Sequence, residues 1–142
     1  MKNALSTAIR IAAKAHSGQK DRGGRPYILH PLAVMARMDT DEERIVAVLH
    51  DVVEDTSVNL ASLKNCGFSP AVLEAISLLS KPYEDFPYEE FIARIKSNKL
   101  AVKVKLADIA ENMKVSRLPS PLTERDIKRL QKYQKAIDFL TG

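Results

Sequence analysis

Apolar residues recur every three or four positions along almost the whole chain, the spacing that gathers them on one face of a helix. Residues 4–16 carry this pattern, and Gly18 behind them is the residue type that stops helices by tolerating a left-handed backbone. GQKDRGGRPY, residues 18–27, holds three glycines and a proline and predicts a loop. A second helix is expected from near His30 to about Met38, with Pro31 in the first turn, where a missing N–H costs nothing. Thr40 and Glu43 have capping-box spacing and open a third helix, which the run IVAVL carries on through LHDVVED. Shorter helices are expected over 59–66, stopped by Gly67, and from Ser69-Pro70 to about Ser80. KPYEDFP, residues 81–87, reads as a second loop and a candidate lid. Helices over 88–97 and 99–116 follow; AVKVKL alternates like a strand, but LADIAENM continues it at helical spacing. LPSPL breaks the chain, and Thr123 with Asp126 forms another capping box for a last helix ending by Thr141. The expected architecture is all-α, with residues 1–142 as a single domain.

Composition narrows the class without naming an activity. Apolar residues at 45% and charged residues at 28% are ordinary for a soluble globular protein, and no apolar run approaches the ~18 residues of a membrane span. Arg10 and Lys14 interrupt the N-terminal segment, which reads as a first helix and not as a signal peptide. The lone Cys66 cannot form an intramolecular disulfide and agrees with a reducing, cytoplasmic setting. A net charge of +4, from 22 Lys and Arg against 18 Asp and Glu, favours an anionic partner in general and gives no ground for nucleic acid. The most basic stretch, IKRLQKYQK at 127–135, reads as a solvated outer face, with Ile127, Leu130, Tyr133 or Gln134, and Ile137 turned inward.

LHDVVEDT, residues 49–56, sets His50, Asp51, Glu54 and Asp55 inside a run that otherwise looks buried. Charges are costly to bury unless they are paired or bound to a metal. On one helix His50 and Glu54 stack a turn apart, as do Asp51 and Asp55, so all four gather on its polar edge. His50 and Asp51 can then be neighbouring metal ligands, with the two acids a turn later reaching past the ion toward water. Asp108 is a further acid in apolar surroundings, VKLADIAENM, with Glu111 and Asn112 three and four residues on. Plainer roles are a cap or a salt bridge to Lys103 or Lys105 for Asp108, and core packing for any one histidine. Taken as a set, two histidines, two aspartates and spare carboxylates point to metal-assisted hydrolysis. Mixed imidazole and carboxylate ligands suit Mn²⁺, Fe²⁺ or Co²⁺, ions that make water a better nucleophile.

AHSGQKDRGGRPYILHPLAVMA, AVLHDVVEDT and VKLADIAENM together resemble the HD-domain hydrolases of the RelA/SpoT type, specifically the single-domain small alarmone hydrolases, over roughly three quarters of the chain. The resemblance implies an HD-type helical bundle with one Mn²⁺, or another divalent transition metal, on His30, His50, Asp51 and Asp108. It implies that Glu54 and Asp55 orient and deprotonate the attacking water. The substrate it implies is guanosine tetra- or pentaphosphate, losing its 3′-diphosphate as pyrophosphate. Arg22, helped by Lys20 or Arg25, would steady the phosphates, and Asn112 matches the residue that touches the ribose. His16 belongs to the same motif and is expected to pack or to anchor the loop. Two positions depart from the family pattern. A basic pair followed by a small hydroxyl residue is usual where this chain has Asp21, Arg22 and Gly23, and a threonine is usual at Val115. Those departures touch substrate recognition and leave adenine alarmones, nucleotide monophosphates or 2′- or 3′-phosphorylated cofactors as alternative substrates. The residues to either side leave no room for a synthetase domain, so degradation and not synthesis is expected. A non-catalytic nucleotide-binding module is disfavoured, since a binder has no need of both Glu54 and Asp55. Of the remaining residues, Tyr83, Phe86 and Tyr88 are expected to pin the second loop, and Met35, Met38 and Met113 to pack in the core.

Overall fold

The computed structural model describes residues 3–114 and 122–142, and among them nine helices and no strand longer than an isolated bridge are present. α1 (Ala4–Ala15) starts at Asn3, whose side chain accepts from the N–H groups of Leu5 and Ser6, and the chain leaves it through Gly18 at φ 83°. α2 spans Leu29–Ala36 with Pro31 in its first turn. α3 (Asp41–Leu49) opens on the expected capping box, with Thr40 accepting from the Glu43 N–H and Glu43 accepting from the Thr40 N–H. Thr40→Ala removes that acceptor and is expected to lower the unfolding free energy by about 1 kcal/mol, read as a shifted denaturant midpoint at unchanged slope.

α3 is the central element. Every residue from Ile45 to Leu49 is buried, because α1, α2, α6 (Pro70–Leu78) and α8 (Lys99–Asn112) pack around it. α8 also meets α7 (Tyr88–Lys96) and α9 (Glu124–Thr141), so it joins the α3-centred layer to the C-terminal pair. The alternating AVKVKL run is helical: Ala101, Val104, Ala107 and Ile109 are buried by neighbours on several sides, which propensity for a strand does not offset. Met38 is core, and Met35 and Met113 pack against it. α8 ends at Asn112 with Met113 as its C-cap, short of the expected 116, and Val115 lies outside the described residues.

One expected element is overturned. No continuous helix runs through LHDVVEDT: α3 stops at Leu49, Asp51 leaves the helical range at φ −116° and ψ 7°, and α4 (Val52–Asp55) begins anew. The one-turn stacking expected of His50 on Glu54 is lost, whereas Asp51 and Asp55 stay a turn apart, the Asp55 N–H donating to the Asp51 carbonyl at 3.0 Å. Adjacent residues on an unbroken helix point about 100° apart. The break lets His50 and Asp51 face one cleft while Leu49 and Val52 stay in the core. α5 (Leu60–Asn65) follows, capped by the Asn59 side chain and stopped by Gly67 at φ 87°. No helix among the described residues is long and apolar enough to cross a membrane.

Candidate functional site

Four of the residues singled out in the sequence meet at one point, brought there from three parts of the fold. α2 delivers His30, the α3–α4 break delivers His50 and Asp51, and α8 delivers Asp108. The ligand atoms of His30, His50 and Asp51 all lie within 4.8 Å of one another. Asp108 joins them with Oδ1 at 2.8 Å from His30 Nε2 and 3.4 Å from His50 Nε2. His50 donates from Nδ1 to the Ala47 carbonyl at 2.6 Å, which fixes the ring and turns Nε2 into the cluster. Burial alone would make His50 less basic, but the charges of Asp51 and Asp108 outweigh it and push His50 up to about 9. Burial likewise opposes ionisation of both aspartates. His50 and neighbouring donors overcome it at Asp51, while Lys105 and both histidines do so at Asp108, and both end below the usual carboxylate range.

This donor set fits a divalent cation. Two imidazole nitrogens and two ionised carboxylates converge at a point where, without a cation, a proton on His50 supplies the positive charge. Asp51 Oδ1 is buried and has no aligned hydrogen-bond donor among the described residues, the nearest being His16 Nε2 at 3.3 Å. A ligand oxygen left this way has a lone pair to give to an ion.

The surrounding residues hold the cluster in place. Tyr27 donates its hydroxyl to Asp51 Oδ2, and burial, then the charge of Asp51, raises its own pKa beyond the physiological range. His16 is fully enclosed and hydrogen-bonds Gln19 at 3.0 Å, while Gln19 Nε2 reaches the Asp55 carbonyl at 3.3 Å. His16 thus anchors the first loop, as expected, and also backs Asp51. The alternative salt bridge for Asp108 exists as well, with Lys105 Nζ at 3.0 Å from Oδ2, whereas Lys103 pairs with Glu43 at 2.8 Å. Asn112 donates to Asp108 Oδ1 at 3.2 Å while lining the cleft. Glu111 is engaged by Arg37 at 2.6 Å and by Lys114 at 3.0 Å.

Above the cluster opens a cleft of about 720 Å³, a size suited to a nucleotide. Glu54 and Asp55 stand on its wall. Glu54 Oε1 accepts from the Lys81 backbone N–H at 2.7 Å, which ties α4 to the 81–87 segment. Asp55 reaches solvent, yet the protein around it, then the charges of Asp51 and Glu54, push its carboxyl up to about 6. Arg22 also lines the cleft and bonds Asp126 at 3.4 Å, which draws the loop toward the start of α9. Lys20 does not line it: it is exposed in an isolated bridge to Pro26. Asp21 has taken a folding role, since its Oδ1 accepts from the Gly23 and Arg25 N–H groups, both at 2.9 Å. The acid in place of a usual cation therefore shapes the loop from within.

More cations reach the cleft from the last helix. Arg125, Lys128, Arg129 and Lys132 all line the cleft, although the basic stretch read as an outer face. Tyr133 is buried and Leu130 and Ile137 are half-buried as expected, while Ile127 is 46% exposed. Positions 125, 128, 129 and 132 have the i, i+3, i+4, i+7 spacing of a single helix face. That spacing was visible in the sequence; what stood opposite it was not. Tyr88 lines the cleft with its hydroxyl buried and lacking a hydrogen-bond partner among the described residues, while Lys132 sits 4.5 Å from its ring centre. Tyr83 is 59% exposed and packs edge-on against Phe86.

No family model matches the chain. It is 32% identical over 139 residues to the bifunctional (p)ppGpp synthase/hydrolase SpoT of Escherichia coli strain K12, covering 88% of this chain and 20% of that protein. It is 36% identical over 118 residues to the guanosine-3′,5′-bis(diphosphate) 3′-pyrophosphohydrolase of Haemophilus influenzae, covering 73% of this chain and 17% of that protein. The chain thus spans about a fifth of the length of these curated relatives. Among solved structures, a metazoan ortholog of SpoT described as hydrolysing ppGpp superposes with a TM-score of 0.80 at 23% identity, covering all of this chain and 88% of that one. The chain belongs with the SpoT/RelA proteins, whose matching members include guanosine-3′,5′-bis(diphosphate) 3′-pyrophosphohydrolases and a GTP pyrophosphokinase, and its all-helical fold is that of the metazoan SpoT ortholog.

Proposed function

We propose that this chain is a metal-dependent 3′-pyrophosphohydrolase of guanosine 3′,5′-bis(diphosphate)-type alarmones. The observation that carries the reading is the cleft itself, with an acid–imidazole cluster at its floor and a wall of cations above it. The floor suits a cation and the wall suits phosphates, so the two together suit a phosphorylated nucleotide bridging them.

In this reading His30, His50, Asp51 and Asp108 hold one divalent cation, Mn²⁺ being the assignment. A bound cation of this kind supplies a Lewis acid for a phosphoryl oxygen and acidifies water. Asp55 is the group to accept the proton from the attacking water, because its raised pKa lies near the working pH. Glu54, held by the Lys81 N–H, orients that water. Water adds to the phosphorus of the 3′-diphosphate, the bond to the 3′ oxygen breaks, and that oxygen leaves as a hydroxyl after taking up a proton. Arg22 and the α9 cations neutralise the phosphates. Asn112 has one hydrogen bond to Asp108 and stands where it can also meet the sugar.

The deciding experiment supplies the purified chain with Mn²⁺, Co²⁺ or Mg²⁺ and a panel of guanosine and adenosine 3′-diphosphates and ordinary nucleotides, scored by product. Pyrophosphate with GDP or GTP is the expected outcome. Orthophosphate from a monophosphate would move the assignment to a different nucleotide phosphohydrolase, and a panel left intact with every metal would end the enzyme reading.

Turnover should also depend on pH through Asp55. Its pKa in the fold is raised from 3.8 to about 6 without an ion, and a cation bound beside it lowers that value, so turnover should climb to a plateau at or below about pH 6. The same shift means that ionising Asp55 opposes folding: its contribution is most favourable below pH 3.8 and is lost as pH rises through about 6. Asp55→Asn is therefore expected to be inactive and yet more heat-stable than the parent at pH 7. A variant less stable at that pH would contradict the account.

A further inference from the structure

A groove continues outward from the cleft mouth between α7 and α9, and its chemistry is that of the cleft wall extended. It encloses about 500 Å³ and is lined by Tyr88, Lys128, Lys132 and Lys135 together with Pro87, Glu89 and Gln131. Lys128 and Lys132 line both spaces, whereas Lys135 lines the groove and not the cleft. Tyr88, with Lys132 against its ring, stands where the two meet. The three lysines are spaced i, i+4, i+7 on one helix and so span about 10 Å along its axis.

Among the described residues, these lysines belong to the cations that no carboxylate pairs, unlike the six that bridge to one. Arg22, Arg37, Arg44, Lys103, Lys105 and Lys114 each have a carboxylate within ion-pair distance. None of Lys128, Lys132 and Lys135 has one among the described residues, and Glu89 is the single acid lining the groove. Burial, then the charges of Lys81, Arg129 and Lys105 on the cleft side, lower the pKa of Lys132. A folded protein does not hold cations together in this way without a cost in repulsion, which a polyanion would relieve.

We propose that this groove is a second phosphate subsite, which takes the 5′ polyphosphate arm of the nucleotide whose 3′-diphosphate lies at the metal cluster, and that Lys135 reads the length of that arm. The proposal rests on the function proposed above. A nucleotide phosphorylated at both ends cannot place both arms at one cluster. A short 5′ arm reaches Lys128 and Lys132 inside the cleft, and only a longer one reaches Lys135. The ligand is thus a nucleoside 3′-diphosphate with a 5′-triphosphate in preference to one with a 5′-monophosphate.

The test compares kcat/KM for guanosine 3′-diphosphates carrying a 5′-mono-, di- or triphosphate, using the metal-loaded wild type, Lys135→Ala and Lys135→Arg. Lys135 is exposed, so neither variant threatens the fold. The wild type should favour the triphosphate; Lys135→Ala should lose about three- to fivefold on that substrate alone, in KM, and Lys135→Arg should restore it. The advantage should shrink in high salt. Calorimetric binding of inorganic tripolyphosphate to the metal-loaded protein gives a readout independent of turnover, and should be weaker in Lys135→Ala. Equal kcat/KM for all three substrates in the wild type would overturn the subsite, as would a Lys135→Ala loss that is the same for every arm length. If no alarmone is cleaved, the proposed function fails while calorimetry still judges the groove. Tripolyphosphate binding unchanged by Lys135→Ala would then overturn the groove by itself.

Discussion

Asp108→Ala is expected to abolish metal binding, to lower turnover by at least about a thousandfold, and to destabilise the fold by about 3 kcal/mol. One carboxylate is the hub of the cluster, with His30 at 2.8 Å, Lys105 at 3.0 Å and Asn112 at 3.2 Å. The activity loss follows from removing a charge that a divalent cation requires. The stability loss has a separate origin, since Lys105 is largely buried at the cleft wall, with the Tyr88 and Phe91 rings near it, and would be left without its carboxylate partner. The two effects can be parted. Stripping metal from the wild type with a chelator should remove activity and leave the Lys105 ion pair intact, so its unfolding midpoint should fall less than that of the variant. Metal content by elemental analysis and unfolding by denaturant decide the matter. A variant that retained stoichiometric metal would remove Asp108 from the ligand set.

Arg129→Ala combined with Lys132→Ala is expected to lower kcat/KM by about a hundredfold, with most of the loss in KM. Each cation is expected to contribute a charge-assisted bond to phosphate, about 1.5–3 kcal/mol where water is excluded and less where it is not. Arg129 is also positioned by its neighbour, donating from Nε to the Tyr133 hydroxyl at 2.9 Å. Tyr133→Phe would keep the ring and lose that bond, so a smaller KM effect in the same direction is expected. The salt dependence of KM should flatten in the double variant, because fewer counterions are exchanged on binding. An unchanged KM would reduce α9 to scaffolding.

The sequence showed some parts of this site and hid others for definite reasons. His30, the HD dipeptide and Asp108 were visible because charged groups in apolar surroundings are costly without partners, and the structure brings all of them together. The break at Asp51 was hidden. Nothing in LHDVVEDT departs from helical spacing, and only the packing of α3 on every side makes a change of direction at Leu49 the better solution. The cleft beside the cationic face of α9 was hidden for the converse reason, although its cations are exposed as expected. A basic helix face looks the same whether it meets water or a cleft, and the distinction lies in where α7 and α8 place their own side chains. Asp21 looked like a lost cation, and its bonds to two backbone N–H groups became apparent only once the loop had a shape. Helix starts were the most legible feature, since Thr40 with Glu43 and Thr123 with Asp126 carry their instructions within four residues.

The cluster at the floor of the cleft also has a mechanical consequence. Its members come from α2, from the α3–α4 break and from α8, and His30 and Asp108 stand 78 residues apart in the chain. An ion held by all of them is a reversible cross-link, closing a long loop and clamping the first half of the molecule to the second. Its free energy adds directly to that of folding, about 2.7 kcal/mol at a concentration a hundred times the dissociation constant. Heat resistance measured with one cation after another would therefore report which of them the cluster holds best, before any substrate is known.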